Sequence, residues 1–265
     1  MTIFNDYARY YDLIYQDKDY AAEADYVTSL LARFDPHARH LFEFGSGTGV
    51  HGRLLAERGY HVLGLDSSSE MILQARRSIR SDAAPIPMGK KGSRQGSFDC
   101  REGDIRQSLI QDSFDAVLAL YHVISYMVTN TDAIATFRNA HRHLKAGGLF
   151  LFDVWYTPAV LAQRPEVRIK RVEDEQVKIL RLAEPVMHPN QNLVDVNYTL
   201  QAEEIATHKL TAIHETHHMR HYSLPELELL AGFTGFTLLH SEEFLTGEQP
   251  GEKTWGVCCV LRKEG

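Results

Sequence analysis

The sequence predicts an α/β fold built on a doubly wound, largely parallel sheet, and three observations carry that reading. Short apolar runs alternate with helical stretches. The runs are too uniformly apolar for a sheet with one wet face, and the first of them breaks into a glycine-rich turn, "FEFGSGTG". In order, the strand runs are "HLFEF", "HVLGLD", "SFDCREGD", "FDAVLALY" and "GLFLFDVW", with "MILQARRSI" and "AIATFRNAHRHL" as helices between them. Ser67-Ser-Ser-Glu70 and Ser223-Leu-Pro-Glu226 have the spacing of capping boxes and mark two helix starts.

Two regions break the alternation. Residues 81–97, "SDAAPIPMGKKGSRQGS", are rich in Gly, Pro, Ser and basic residues and read as a long loop, either a lid or disordered. From 166 to 222 the pattern turns to polar–apolar alternation, which predicts an antiparallel β insertion. "FTLLHSEEF" and "TWGVCCVLRK" then form a C-terminal hairpin able to complete the main sheet.

The bulk properties narrow the partners. With 265 residues and 44% hydrophobic content, the chain can bury a sizeable core without a metal or disulfide. A net charge of −7 lacks the footprint of a protein that grips nucleic acid. Cys100 and the adjacent Cys258 and Cys259 make no disulfide framework, and neither a signal segment nor a membrane-length apolar span is present. The expectation is a cytoplasmic protein with a small-molecule partner, with no nucleic acid or membrane partner, and with a homodimer as a permitted assembly.

A strand ending in glycines and opening a helix brings backbone N–H groups to a ligand. Gly47, Gly49 and Gly52 also match the dinucleotide pattern, a weak signal alone that leaves a dehydrogenase open. The acids discriminate better. Asp66 closes the second strand, where a carboxylate accepts ribose hydroxyls. Glu43 lies beneath the loop, where its charge would repel a pyrophosphate but suit an α-amino group. Asp104, with the Ile105 N–H, is placed to read an adenine edge.

Taken in order, "EFGSGTG", Asp66 with "SSSEMILQAR", "EGDI", "FDAVLAL" and "LKAGG" resemble the successive motifs of class I S-adenosylmethionine-dependent methyltransferases. The resemblance covers residues 40 to 155 and implies a Rossmann-like sheet of seven strands, the last antiparallel. It implies S-adenosyl-L-methionine as cofactor, with Gly45, Gly47 and Gly49 under the methionine moiety. Asp66 would bind the ribose, Met71 would lie against the adenine, Asp104 and Ile105 would read its edge, and Glu43, Ser67 and Leu120 are further expected cofactor contacts. Met71 as plain core is the competing reading.

The N-terminal "YYDLIYQDKDYAAEA" resembles the lid of methyltransferases that dimethylate amino groups of nucleotide-linked deoxysugars. That likeness assigns Tyr20 to the cofactor and Tyr15 to the acceptor, with Tyr11 on the same helical face as Tyr15. The expected organisation is a helical lid at 1–38, a cofactor-binding core at 39–165, the β insertion at 166–222 on the acceptor side or at an oligomer contact, and a helix and hairpin at 223–265.

"LYHVISYM" follows the fourth strand and lacks the Asn/Asp-Pro-Pro-aromatic tetrad of base-amine methyltransferases. The amino-sugar enzymes tend to carry a histidine where this chain has Tyr126, with His122 four residues earlier. His122 is the expected base, because imidazole takes protons near neutrality, and Tyr15 and Tyr126 are expected to orient the nucleophile. His214, His217, His218 and His221 invite a metal reading. In a strand, however, histidines that share a face, such as His217 and His221, lie four residues and over about 12 Å apart, so no metal is expected. His217 and Arg220 are instead expected to meet the acceptor, Arg220 through an anionic group. A solvated surface strand is the alternative.

The function these features imply is methyl transfer to an amino or hydroxyl group of a small polar metabolite, above all a nucleotide-linked sugar. A non-catalytic S-adenosylmethionine-binding subunit or regulator is the rival from another class.

Overall fold

The computed structural model describes residues 7–81 and 96–265. The loop read at 81–97 lies outside the described residues except at its ends. A 3-10 turn (Tyr7–Tyr10) leads into α1 (Tyr11–Ile14) and then α2 (Tyr20–Phe34), where Asp19 Oδ1 accepts from the Ala22 N–H at 2.9 Å as N-cap. The four-residue tyrosine spacing therefore does not form one continuous helix. Tyr11 and Tyr15 still meet, with ring centroids 4.7 Å apart.

The alternation follows as β1 (His40–Phe44), α3 (Val50–Glu57), β2 (His61–Asp66), α4 (Ser69–Ser81) and β3 (Ser97–Glu102). Then come β4 (Phe114–Ala119), a 3-10 turn (Val123–Tyr126), α5 (Asn130–His143), β5 (Leu144–Tyr156) and α6 (Thr157–Gln163). The capping side chain of α4 is Ser68, whose Oγ accepts from the Met71 N–H at 3.3 Å, one residue later than the capping box at Ser67 predicts. Four long strands occupy the region of polar–apolar alternation: β6 (Arg168–Glu173), β7 (Val177–His188), β8 (Leu193–Glu204) and β9 (Leu210–Tyr222). The chain ends with α7 (Leu224–Phe233), β10 (Phe236–Glu243) and β11 (Gly256–Lys263). Helix α7 starts where expected, but Ser223 makes no side-chain cap bond. Its supposed reciprocal partner Glu226 is taken by Arg220 instead.

Strands β3-β2-β1-β4-β5 pair in parallel, β11 runs antiparallel along β5, and β10 pairs antiparallel with β11. This is the expected seven-stranded order with an antiparallel last strand. Its two faces are dry on both sides. Leu41, Leu118 and Leu151 pack with α2 and α3, while Phe42, Val117 and Phe150 pack with α5 and α7. The period of two along each strand sends successive side chains to opposite layers. Glu43 and Asp153 fall in the α2/α3 layer, at the C-terminal ends of β1 and β5.

Strand β5 outruns its neighbour: β4 follows it to Phe152, while β9 joins it at Trp155 and Tyr156, opposite His221 and Tyr222. Because β11 already holds the other edge of Trp155, β9 takes the edge that β4 leaves. The antiparallel sheet β9-β8-β7-β6 thus continues from the tip of β5 and stands over the ends of the parallel strands. Tyr10 and Ile14 pack on it against Val177, Ile179 and Leu200, so the apolar side chains of the N-terminal segment dock on the second sheet.

Candidate active site

A cavity of about 590 Å³ opens at the C-terminal ends of the parallel strands, between the glycine loop, the N-terminal segment and the second sheet. Gly47 sits on its wall in the left-handed region at φ 54°, and a Cβ there would meet nothing within 4 Å, so the backbone faces open space. Gly49 has a different duty. A Cβ on it would lie 2.4 Å from the Phe98 ring, and it does not line the cavity. Its glycine requirement comes from packing beneath the loop. Gly45 and Ser46 complete the lip.

Asp66 lines the cavity and joins two turns, accepting from the N–H groups of Gly47 and Ser68, each at 2.8 Å. Burial pushes its carboxyl up, and those backbone donors oppose the shift. Ser67, Met71, Ile105 and Leu120 line the same end, with Met71 2% exposed. Asp104 lines it as well, but its carboxylate already accepts from Arg106 Nε and Nη2, the latter at 2.8 Å. Those bonds hold it below the usual carboxylate range. Arg106 also reaches Asp132 at 2.8 Å, so an adenine amino group would share an acceptor that is already engaged.

Glu43 lies beneath the loop, 1% exposed and off the cavity wall. Burial, and then the charge of Asp66, push its carboxyl up to about 8, against the pull of Lys18. One of its oxygens, Oε2, has no hydrogen-bond partner among the described residues. Around it runs a buried polar cluster that the sequence did not announce. His51 Nε2 lies 2.6 Å from Glu23 Oε2, His51 Nδ1 is 3.8 Å from Glu43 Oε1, and Lys18 Nζ is 2.9 Å from Glu23. The Lys18 ammonium also sits 3.5 Å from the Tyr121 ring centroid and 4.3 Å from that of Tyr20. Thr48 Oγ1 donates to Asp12 Oδ1 at 2.8 Å, which ties the N-terminal segment to the glycine loop. A backbone cradle, a carboxylate between two turns and an orphaned buried carboxyl oxygen suit the ribose and the α-ammonium of an adenosyl amino acid.

The other end of the cavity is aromatic and polar. Tyr121 and His122, at φ 64° and 63°, are consecutive non-glycine residues in the left-handed region, where the chain turns sharply after β4. That turn brings His122 Nδ1 to 2.6 Å from Oδ2 of Asp153, which is wholly buried. Burial would raise the Asp153 carboxyl, but the charge and bonds of His122 outweigh it and hold the group low. Tyr126 OH lies 2.9 Å from His217 Nδ1, and Tyr11 and Tyr15 close the wall from the N-terminal side. Arg181 Nη1 donates to Tyr15 OH at 3.1 Å.

Arg220 departs from its expected place. It does not line the cavity, and its guanidinium donates to Asn130 Oδ1 at 2.8 Å and to Glu226. The period of two along β9 explains it, since Arg220 points away from the face that carries His217 and Met219. The clustered histidines also disperse: His214 meets Thr199, His217 meets Tyr126, His218 meets Asp195 and His221 meets Thr157. Reading by segment missed Asp153, Tyr121 and Tyr198. An acid inside the apolar run "GLFLFDVW" was the one available signal for Asp153.

Residues 41–148 match the sequence profile of a methyltransferase domain, and the parallel sheet with its antiparallel last strand has the fold of methyltransferases of known structure. A dTDP-3-amino-3,4,6-trideoxy-alpha-D-glucopyranose N,N-dimethyltransferase of Streptomyces venezuelae is 26% identical over 74% of this chain and 76% of its own length. A dTDP-4-amino-2,3,4,6-tetradeoxy-D-glucose N,N-dimethyltransferase of Saccharopolyspora spinosa is 29% identical over 74% of this chain and 72% of its own. An S-adenosylmethionine-dependent methyltransferase of Clostridium acetobutylicum shares the fold, with a TM-score of 0.78 at 20% identity over 98% of this chain and all of its own. Among the described residues no helix is long and apolar enough to cross a membrane.

Proposed function

We propose that the protein N-methylates a nucleotide-linked amino sugar. The observation that carries this is the continuous cavity of about 590 Å³ lined by the glycine cradle at one end and by tyrosines and histidines at the other. The amino-sugar substrates in the names of the two relatives point the same way. When bound, S-adenosylmethionine supplies an electrophilic methyl group.

The chain's own part is alignment and proton removal. Of the expected lid at 1–38, residues 7–19 cover the cavity while α2 packs into the main core; 39–156 with 223–265 hold the cofactor, and the strands between hold the acceptor. Asp66 and Ser67 bind ribose, Gly45 and Gly47 cradle the amino-acid portion, and Glu43 answers its ammonium from below. Met71, Ile105 and Leu120 enclose the base, Asp104 bonds its edge, and Tyr20 covers the cofactor. His122, steadied by Asp153, takes the proton of the acceptor, while Tyr11, Tyr15, Tyr126 and His217 orient it. The reading describes a cytoplasmic enzyme acting on a small molecule and not on nucleic acid or a membrane, as a monomer or a homodimer.

Incubation with S-adenosylmethionine and a panel of dTDP-linked amino sugars, followed by mass spectrometry, tests it. A gain of one or two methyl groups is expected. His122→Asn should cut kcat by roughly 10²-fold with cofactor affinity kept. Binding of cofactor without turnover on any amine or hydroxyl acceptor would favour a non-catalytic role instead.

A further inference from the structure

Resting on that reading, we propose that Tyr126, His217 and Glu215 form a second proton-accepting relay that serves the acceptor from the wall of the second sheet. Tyr126 OH and His217 Nδ1 are 2.9 Å apart, and His217 Nε2 is 3.2 Å from Glu215 Oε2. His217 is 3% exposed, and it and Tyr126 both line the cavity. Glu215 lies two residues before His217 on β9, so both point to one face.

The order of the partners fixes the direction of the protons. An ionised carboxylate only accepts, so Nε2 must carry the imidazole hydrogen, Nδ1 is left as a lone pair, and the Tyr126 hydroxyl donates into it. The phenol oxygen keeps acceptor capacity of its own. As an acceptor ammonium gives its proton to that oxygen, the N–H electron pair stays on nitrogen, and the phenolic proton passes to His217 Nδ1. The phenol ends neutral, and the imidazolium faces Glu215. A nitrogen methylated twice must shed a proton before each transfer, so two accepting routes meet a real demand. Groups facing His217 come from three elements: Glu215 from β9, Tyr198 from β8 with its ring edge-on at 4.8 Å, and Tyr126 from the 3-10 turn. Behind Tyr198 stands Arg181 of β7, 5.4 Å from its ring, and Tyr11 of α1 neighbours Tyr126.

Two measurements test the relay. Long-range ¹H–¹⁵N spectra of histidine-labelled protein should report His217 with Nε2 protonated and Nδ1 bare, and Glu215→Gln should disturb that tautomer. In kinetics with a methylated dTDP-amino sugar, His122→Asn should keep residual turnover, which Glu215→Gln or His217→Gln lowers by a further factor of roughly 10². In the Glu215→Gln enzyme the ascending limb of kcat against pH should move to lower pH while the plateau falls, because the imidazolium loses its counter-charge. Tyr126→Phe should remove the relay without disturbing the His217–Glu215 contact. A His217 protonated at Nδ1, or a Glu215→Gln enzyme with wild-type plateau and pH profile in both backgrounds, would overturn the relay. Failure of the wild type to methylate any amine would count against the assigned reaction and leave the tautomer to decide the relay.

Discussion

Glu43 is a fully buried carboxyl whose natural partner in this structure is a histidine ring 3.8 Å away. Its proton affinity, raised from 4.5 to about 8 chiefly by burial, makes it a pH-dependent cost of the fold. Between those values the folded chain holds a proton that the unfolded chain has lost, so Glu43 makes stability fall as pH rises through that window. Glu43→Gln should therefore raise Tm at pH 8, by roughly 2–4 °C for each kcal/mol relieved, and change little near pH 4. The same carboxyl should ionise when an ammonium comes to rest beside it. Calorimetry near pH 7, in buffers of different ionisation enthalpy, should show proton release on S-adenosylhomocysteine binding. In Glu43→Gln that release should vanish and affinity should fall roughly 10- to 100-fold. Equal affinity in the variant would remove Glu43 from the cofactor site. Residues such as Glu43, Asp66 and His122 were legible because each lies at or within three residues of a strand's C-terminal end in the sequence. Asp153, His51 and Glu23 were not, because their meaning comes from partners tens of residues away that only the folded layers bring together.

Among elements, the N-terminal segment has the most consequential departure from its expected form. It is a 3-10 turn and a single α turn in place of a continuous helix, and it faces two ways. Tyr10 and Ile14 fill the second sheet, while Asp12 takes the Thr48 hydroxyl of the glycine loop. Each buried side chain of that kind is worth at most about 1.5–3 kcal/mol, so the segment stabilises the second sheet as well as covering the cavity. Deleting residues 1–19 should abolish turnover and speed hydrogen exchange in β7, β8 and β9, while β1, β4 and β5 keep their protection. A truncated chain with full turnover would contradict the lid. The strands of the main sheet were readable because their apolar runs are local facts. The break in the tyrosine helix was not, since it follows from docking on strands more than 150 residues downstream, a tertiary demand that overrides spacing. Arg220 failed for the opposite reason: alternation along its own strand already turned it from His217, and only Glu226 and Asn130 reveal what claims it.

At the scale of the molecule, two sheets share one strand. The mostly parallel half is built by 39–156 and 223–265, and the antiparallel half grows from the overhang of β5. Tyr156, where the chain departs, and Tyr222, where it returns, are register partners on adjacent strands. Their separation is one interstrand step, about 4.8 Å. The antiparallel half is thus a cassette with both hinges at one doorway, and on the proposed reading donor chemistry and acceptor choice can diverge separately. Residues 157–221 exchanged for the matching segment of a dTDP-amino-sugar dimethyltransferase should leave S-adenosylhomocysteine affinity within a few-fold by titration and carry the preference for acceptor with the graft. A chimera that folds but has lost the cofactor would mean that the two halves are inseparable. If the graft holds, new acceptors become reachable by swapping a single contiguous stretch of gene, with the methyl-donor machinery left untouched.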